Sequence, residues 1–362
     1  MAKSKVAVIK TSPQTVLEDY KKLLHLADYQ SYLPKDTEIA LKINISWHYF
    51  YPACSTTPWQ LEGVIKTLLE DGYPREKLYA CHNRTVVVSA KKGERNNKHL
   101  PVVQKYGIRN IHLYENEEWI RYEPKGKIRV LDQIYPKGIE IPKRLIGSSI
   151  IHLPTMKTHV FTTMTGAMKN AFGGLLHEKR HWTHSVIHET LVDLLTIQKE
   201  IHPGIFAVMD GTIAGNGPGP RTMKPEIKNV ILASADQVAI DAIASKMMGF
   251  EPMEIKYIRL AHERGLGVGD PKEIEVVGDE VGKVHWGFEV GVNTAVAFVK
   301  PFWFNTWLSR FQKIFFHTPL VYFFVFGSFV FHDFLWYPFK GKKRIKDFLE
   351  TEWGAKWLSY PD

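Results

Sequence analysis

Apolar residues along this chain fall into short runs separated by helical stretches. Runs at 6–9, 38–45, 77–81, 108–113 and 149–153 read as strands, and 59–71 carries the three-and-four spacing of a helix with an apolar face. The alternation resumes with strand-like runs at 205–209, 230–233 and 274–277, and with helices expected over 184–200, 238–248 and 253–264. Such alternation predicts an α/β fold, read as two α/β lobes around a central cleft over residues 1–282, with the boundary near 150. The charged, turn-rich stretch 91–98 is expected to be an exposed loop or flap.

After Gly282 the pattern changes. Residues 301–339 hold 17 of the chain's 45 aromatic residues, so 283–362 reads as a separate aromatic helical module. Phe304, Trp307, Leu308, Phe311, Ile314 and Phe315 share one helical face, while Asn305, Arg310, Gln312 and Lys313 take the others; Pro319 ends this amphipathic helix. Residues 320–331 are uncharged and apolar all round. As a helix they reach ~18 Å, against a hydrocarbon core of ~30 Å. Lys300, Arg310 and Lys313 stand before this run, and Lys340, Lys342, Lys343, Arg344 and Lys346 after it. Positive charge on both sides suits an element that enters and leaves a membrane on one face, a monotopic or re-entrant anchor. The competing readings are a dimer interface or a lid over the protein's own core, and a full membrane span.

Charge narrows the class of partner. A net charge of +9 points to an anionic ligand, an anionic membrane surface or nucleic acid. No nucleic-acid-binding signature is present, which leaves the first two. Cys54 and Cys81 are the only cysteines, too few for an iron–sulfur cluster within a single chain. The N-terminus runs directly into the 6–9 strand, too short for a signal-peptide core, so a cytoplasmic protein peripheral to the inner face of the membrane is expected.

The densest chemistry falls between 157 and 174. Lys157 and His159 follow the 149–153 strand and Pro154, at a strand's carboxyl end, where open α/β sheets take ligands. Thr165 and Gly166 open a helical pattern containing Lys169 and Asn170, so free backbone N–H groups and an ammonium can meet a carboxylate or phosphate. Lys157, His159 and Lys169 are candidate catalytic residues, the lysines as nucleophiles or proton carriers if burial lowers their pKa. Asp210, at the end of the 205–209 strand, is a candidate general base, and Gly215, Asn216 and Gly217 beyond it form a candidate anion-binding nest. Lys42 and Asn44 share one side of their strand and are expected to face the cleft.

His177, His181, His184 and His188, spaced by four, three and four, fall within about 60° of arc on a continuous helix. On that reading His159, His184 and His188 are candidate ligands for a divalent transition metal. If the helix instead begins at Thr183, only His184 and His188 share a face. Asp236 is expected to cap the helix that starts at Gln237, with the role of Asp241 left open.

Taken in order, these segments resemble the domain-of-unknown-function 362 family. The resemblance rests on Lys42 and Asn44, Thr56 to Pro58, Lys157 and His159, the run from Thr165 to Asn170, Asp210 and Gly211, and Gly215 to Pro218. Asp236 to Asp241 and Gly265 to Gly267 complete it, over roughly residues 38–282. Many members carry an added ferredoxin-like module with two four-cysteine motifs, which has no counterpart here, so redox chemistry would imply a separate ferredoxin-like partner. A remoter similarity to the nickel-pincer lactate racemase implies a small-molecule or cofactor enzyme, an oxidoreductase or isomerase, with a cleft lined by Lys and His. The competing class is a non-enzymatic cofactor-binding protein or a structural subunit of a membrane complex. The aromatic module falls outside the family pattern and is expected to bring a lipid-like or other membrane-delivered ligand.

Overall fold

The strands are β1 (Ser4–Lys10), β2 (Ile39–Ile43), β3 (Leu78–His82), β4 (Arg109–His112), β5 (Trp119–Tyr122), β6 (Ile139–Pro142), β7 (Ser149–Leu153), β8 (Thr155–His159), β9 (Thr163–Thr165), β10 (Ile205–Asn216), β11 (Lys224–Ser234) and β12 (Ile274–Gly278). The computed structural model describes residues 4–304 and 306–362; residues 1–3 and Asn305, one polar position of the expected aromatic helix, lie outside the described residues. Ten strands form one mixed sheet in the order β12-β1-β11-β10-β7-β2-β3-β4, with β8 beside β10 and β9 beside β8. β5 and β6 pair separately as an antiparallel couple.

The strands β7, β2, β3 and β4 run parallel to one another, and β7 is parallel to β10. β2, β3 and β7 are buried along their whole length, as parallel strands covered on both faces must be. One face packs against the helices Ala167–Leu175, Ile187–Ile201, Gln237–Met248 and Lys256–Glu263. The other packs against Val16–Leu26 and Pro58–Glu70. The α/β class expected from the sequence is therefore present. The chain on either side of residue 150 shares one sheet, with β1 between β11 and β12 and β7 beside β10.

Three local expectations change. Residues 91–98 are not an exposed flap: Ala90–Asn96 is a helix started by the Ser89 side chain, and it buries Glu94. Lys157 and His159 do not follow a strand but sit within one, because β7 resumes after Pro154 as β8, and β9 carries Thr163–Thr165 back alongside it. The amphipathic helix expected from Phe304 is instead two pieces. The helix Thr294–Trp303 ends before it, Thr306 accepts the Leu308 N–H, and the tight turns of Trp307–Phe311 lead into the short helix Gln312–Phe316.

The chain bends by 93° between Trp307–Phe316 and Val321–Leu349, across the segment holding Pro319. No single helix among the described residues is long and apolar enough to cross a membrane; that bent pair passes by length and composition together. Val321–Leu349 is anchored at its middle. The Asp333 carboxylate accepts from Trp47 Nε1 at 2.8 Å and pairs with His48 Nε2 at 3.0 Å, and Trp336 packs on Trp47 and Tyr51. The end of the chain returns to the domain core, where Phe348, Trp353, Trp357 and Tyr360 are buried against the same cluster as Tyr20 and Trp59. The aromatic middle of the 283–362 region is thus presented outward.

Candidate functional site

A cavity of about 600 Å³ opens beyond the carboxyl ends of β2, β3 and β7, where residues 43–46, His82, Asn83 and Pro154 form its floor. Residues from 293–303 and 316–332 form the other wall, chiefly Val296, Phe298, Trp303, Phe316, Phe324 and Phe331. Its charged lining consists of Lys42, Lys169, Arg180 and Arg221, and no aspartate or glutamate lines it among the described residues. Trp303 Nε1 in the aromatic wall is buried with no hydrogen-bond partner among the described residues.

Strand geometry places the lysines. Side chains alternate along β2, so Leu41 and Ile43 enter the core on one face while Lys42 projects from the other toward the Ala167–Leu175 helix. Gly174 of that helix makes room: a Cβ there would stand 3.0 Å from Lys42 Cε. Asn170 donates to the Lys42 carbonyl at 2.8 Å, tying helix to strand. Lys157 is buried under the floor, its ammonium donating to Ser46 Oγ at 3.0 Å and to the Cys54 carbonyl. Lys169 faces the cavity with its ammonium 5.6 Å from the Phe172 ring centre.

None of these three lysines forms an ion pair with a carboxylate among the described residues. Burial lowers Lys42 and Lys157 each to about 8. Lys169 falls further, to about 7, through burial and then repulsion from Lys157 and Arg180. Burial, followed by the charge of Lys169, also holds His159 well below its ordinary value, and its Nδ1 accepts the Phe161 N–H at 3.2 Å. The neutral ring therefore carries its proton on Nε2.

Of the residues singled out from the sequence, Lys42, Asn44, His159, Thr165, Gly166, Lys169, Asn170 and His184 line this cavity. Others do not. Asp210 projects from the opposite face of the sheet, where it accepts from Tyr20, Thr57, Trp59 and both the N–H and hydroxyl of Thr212, at 2.6–2.9 Å. Held by five hydrogen bonds and outside the cavity lining, its carboxylate is placed as a structural knot. Gly215 and Asn216 extend β10, and Gly215 and Gly217 turn carbonyls toward the Thr158 hydroxyl, so they build no N–H nest there. Asn216 bonds Glu226 and the Glu289 N–H.

The helix N-terminus after Gly166 is already occupied by a carboxyl group. Asp241 accepts from Ala167 N at 2.6 Å and Met168 N at 3.2 Å, and any side chain at Gly166 would collide with that carboxylate, a Cβ falling 2.0 Å from Oδ1. This answers the open role of Asp241 and leaves Thr165 and Gly166 as cavity wall. Asp236 caps its helix as expected, accepting from Val238 and Ala239.

The expected histidine metal site is not assembled. Residues 178–186 adopt tight three-residue turns before the Ile187–Ile201 helix begins, so the spacing of four, three and four does not fall on one face. Phe161 stands edge-on to both His159 and His184, His184 stacks on Trp303, and His188 stacks on Tyr257. A different group comes together. His82 and His112 are register partners at the ends of β3 and β4, and Glu94 Oε2 lies 2.8 Å from His82 Nε2 and 3.0 Å from His112 Nε2. Sequence reading missed this trio because its members are far apart in the chain and share no motif. Arg180 and Arg221 were also missed, being scattered charges until the fold closes.

Two comparisons bear on identity. A family model described as a domain of unknown function (DUF362) matches residues 39–246, more than half of the chain. The thylakoid-associated protein sll1697 of Synechocystis sp. is 26% identical over 186 residues, which cover 49% of this chain and 53% of that protein. The chain spans about half the length of the curated relative it matches. The matched segment contains β2, the Pro58–Glu70 helix, β7 to β11 and the lysine-bearing Ala167–Leu175 helix that together form the floor of the cavity and its support. The chain belongs to the DUF362 family.

Proposed function

We propose that this protein binds an amphipathic anion, taking its headgroup at the Lys42–Lys169 end of the cavity and its apolar body between the aromatic walls, while resting on a membrane surface. The observation that carries this reading is the cavity lining, which combines two lysines and two arginines with no carboxylate among the described residues. Lys42 and Lys169 pair with no carboxylate among the described residues; a buried cation so placed is costly, and an anionic ligand relieves that cost. Lys169, close to half-protonated at neutral pH, is the group suited to exchange a proton with a bound ligand.

The surface part of the reading rests on exposed aromatics. Trp307, Tyr322, Phe323, Phe326, Phe334, Leu335 and Phe339 are each more than half exposed. Lys300, Arg310, Lys313, Lys340, Lys342, Lys343 and Lys346 are exposed around them, a charge pattern complementary to anionic lipid. Phe298 and Phe323 are exposed and also line the cavity, so the aromatic surface and the cavity are continuous. The description of one relative as thylakoid-associated supports membrane association in kind.

The test is binding of decanesulfonate compared with decanol, by calorimetry below the micellar range. The sulfonate should bind and the alcohol bind far more weakly, and Lys169→Met combined with Lys42→Met should remove most of the difference. Equal binding of the two probes, or a double variant that keeps the preference, would overturn the reading.

A further inference from the structure

We propose that His82, Glu94 and His112 form a binding site for one divalent transition-metal ion, of the zinc or ferrous class, at the wall of the cavity. Their donor atoms lie within 4.8 Å of one another, and they come from the ends of two adjacent parallel strands and from the short helix that crosses them. Two imidazoles and a carboxylate are a ligand set used for zinc and for non-haem iron, with the remaining positions left for water or a ligand oxygen. His82 also lines the cavity, so an ion here would adjoin the space assigned to the anion.

The surroundings match those of metal ligands. His112 directs its other nitrogen, Nδ1, at Glu115 Oε2, 3.3 Å away, and Lys91 holds Glu115 in turn at 2.8 Å. A carboxylate behind a ligating imidazole fixes its tautomer and orientation. Asn110 Nδ2 steadies Glu94 Oε2 at 2.9 Å. His82 Nδ1 is buried with no hydrogen-bond partner among the described residues, while Nε2 is the nitrogen turned to Glu94 and to the centre of the trio. Ligand atoms around a tetrahedral ion with bonds of ~2.0–2.1 Å sit ~3.3 Å apart, so the present 2.8 and 3.0 Å contacts need open by only a few tenths of an ångström. His159, His184 and His188 take no part.

The experiment uses the full chain, stripped with a chelator and titrated with zinc chloride by calorimetry and elemental analysis, with cobalt(II) as a spectroscopic probe. One zinc per chain should bind, and cobalt should give the intense visible bands of a low-symmetry nitrogen and oxygen site. His82→Ala and His112→Ala should abolish both signals, and Glu115→Gln should weaken zinc by ~10–100-fold through loss of the outer contact. His159→Ala with His184→Ala should leave binding unchanged. Circular dichroism melts confirm that each variant is folded; if Glu94→Gln or a histidine variant does not fold, the wild-type cobalt spectrum and Glu115→Gln decide. A wild type that takes up neither ion, or zinc retained in the folded His82→Ala, His112→Ala double variant, overturns the proposal.

Discussion

Lys169 offers the most direct perturbation of the anion reading, because its charge state changes within the accessible pH range. Burial and two neighbouring cations bring it from an ordinary 10.5 to about 7, and burial brings Lys42 to about 8. Both folded-state values lie below the unfolded one, so the unliganded native state is stabilised as pH rises from about 7 toward 10.5, where the unfolded chain still holds the protons. An anion favours the ammonium, which gives its affinity the opposite slope. For a pKa of about 7, the protonated fraction is roughly nine-tenths at about pH 6 and about one-hundredth at about pH 9. If Lys169 alone must be charged, affinity should fall by ~100-fold across that span; if Lys42 must be as well, by ~1,000-fold. The assay is calorimetry with decanesulfonate, which stays ionised throughout, in buffers of differing ionisation enthalpy. Near pH 8, binding should take up about 0.9 proton for Lys169 and about half a proton more if Lys42 takes part. Lys169→Arg should keep the affinity and lose the first component of the slope. A flat affinity profile with no proton uptake would refute the assignment of the headgroup to these lysines.

Three further outcomes follow from the geometry. Asp210→Ala leaves five donors without their acceptor in the core, and should cost about 3–5 kcal/mol in urea unfolding while leaving decanesulfonate affinity intact in the folded fraction. Asp241 has its folded pKa raised by burial from 3.8 to about 7, so it makes stability decline as pH rises through that window; Asp241→Asn should flatten this slope in melts taken across it. Phe323→Ser with Phe326→Ser removes two exposed rings, each worth roughly 1.5–3 kcal/mol when buried, so binding to vesicles containing phosphatidylglycerol should drop at least ~100-fold without change in melting temperature. Vesicle binding that survives in this variant would show that the aromatic surface meets something other than lipid.

Much of the framework was legible in the chain. The strands at 6–9, 149–153 and 205–209 appear because short aliphatic runs between helices have few other ways to be buried on both faces, and the run at 274–277 adds an edge strand beside β1. The period of two put Lys42 and Asn44 on one side of their strand, and both line the cavity, as do His159 and Lys169 from the 157–174 segment. The aromatic density of 301–339 likewise marked an outward-facing surface, and only the return of Phe348, Trp353 and Trp357 to the core was hidden.

What the tertiary structure decided were pairings between distant residues. Asp210 carries the same local signature as a catalytic carboxylate, and only the face of the sheet on which it emerges, against Tyr20, Thr57 and Trp59, makes it structural. The helix after Gly166 looks open to an anion until Asp241, 74 residues away, fills its N-terminus. The histidines spaced by four, three and four lost their common face because tight turns replaced one continuous helix, whereas His82, Glu94 and His112 met through strand register and a crossing helix. Local periodicity determines which side of an element a residue takes. What stands opposite that side depends on the order of strands in the sheet, which no short segment encodes.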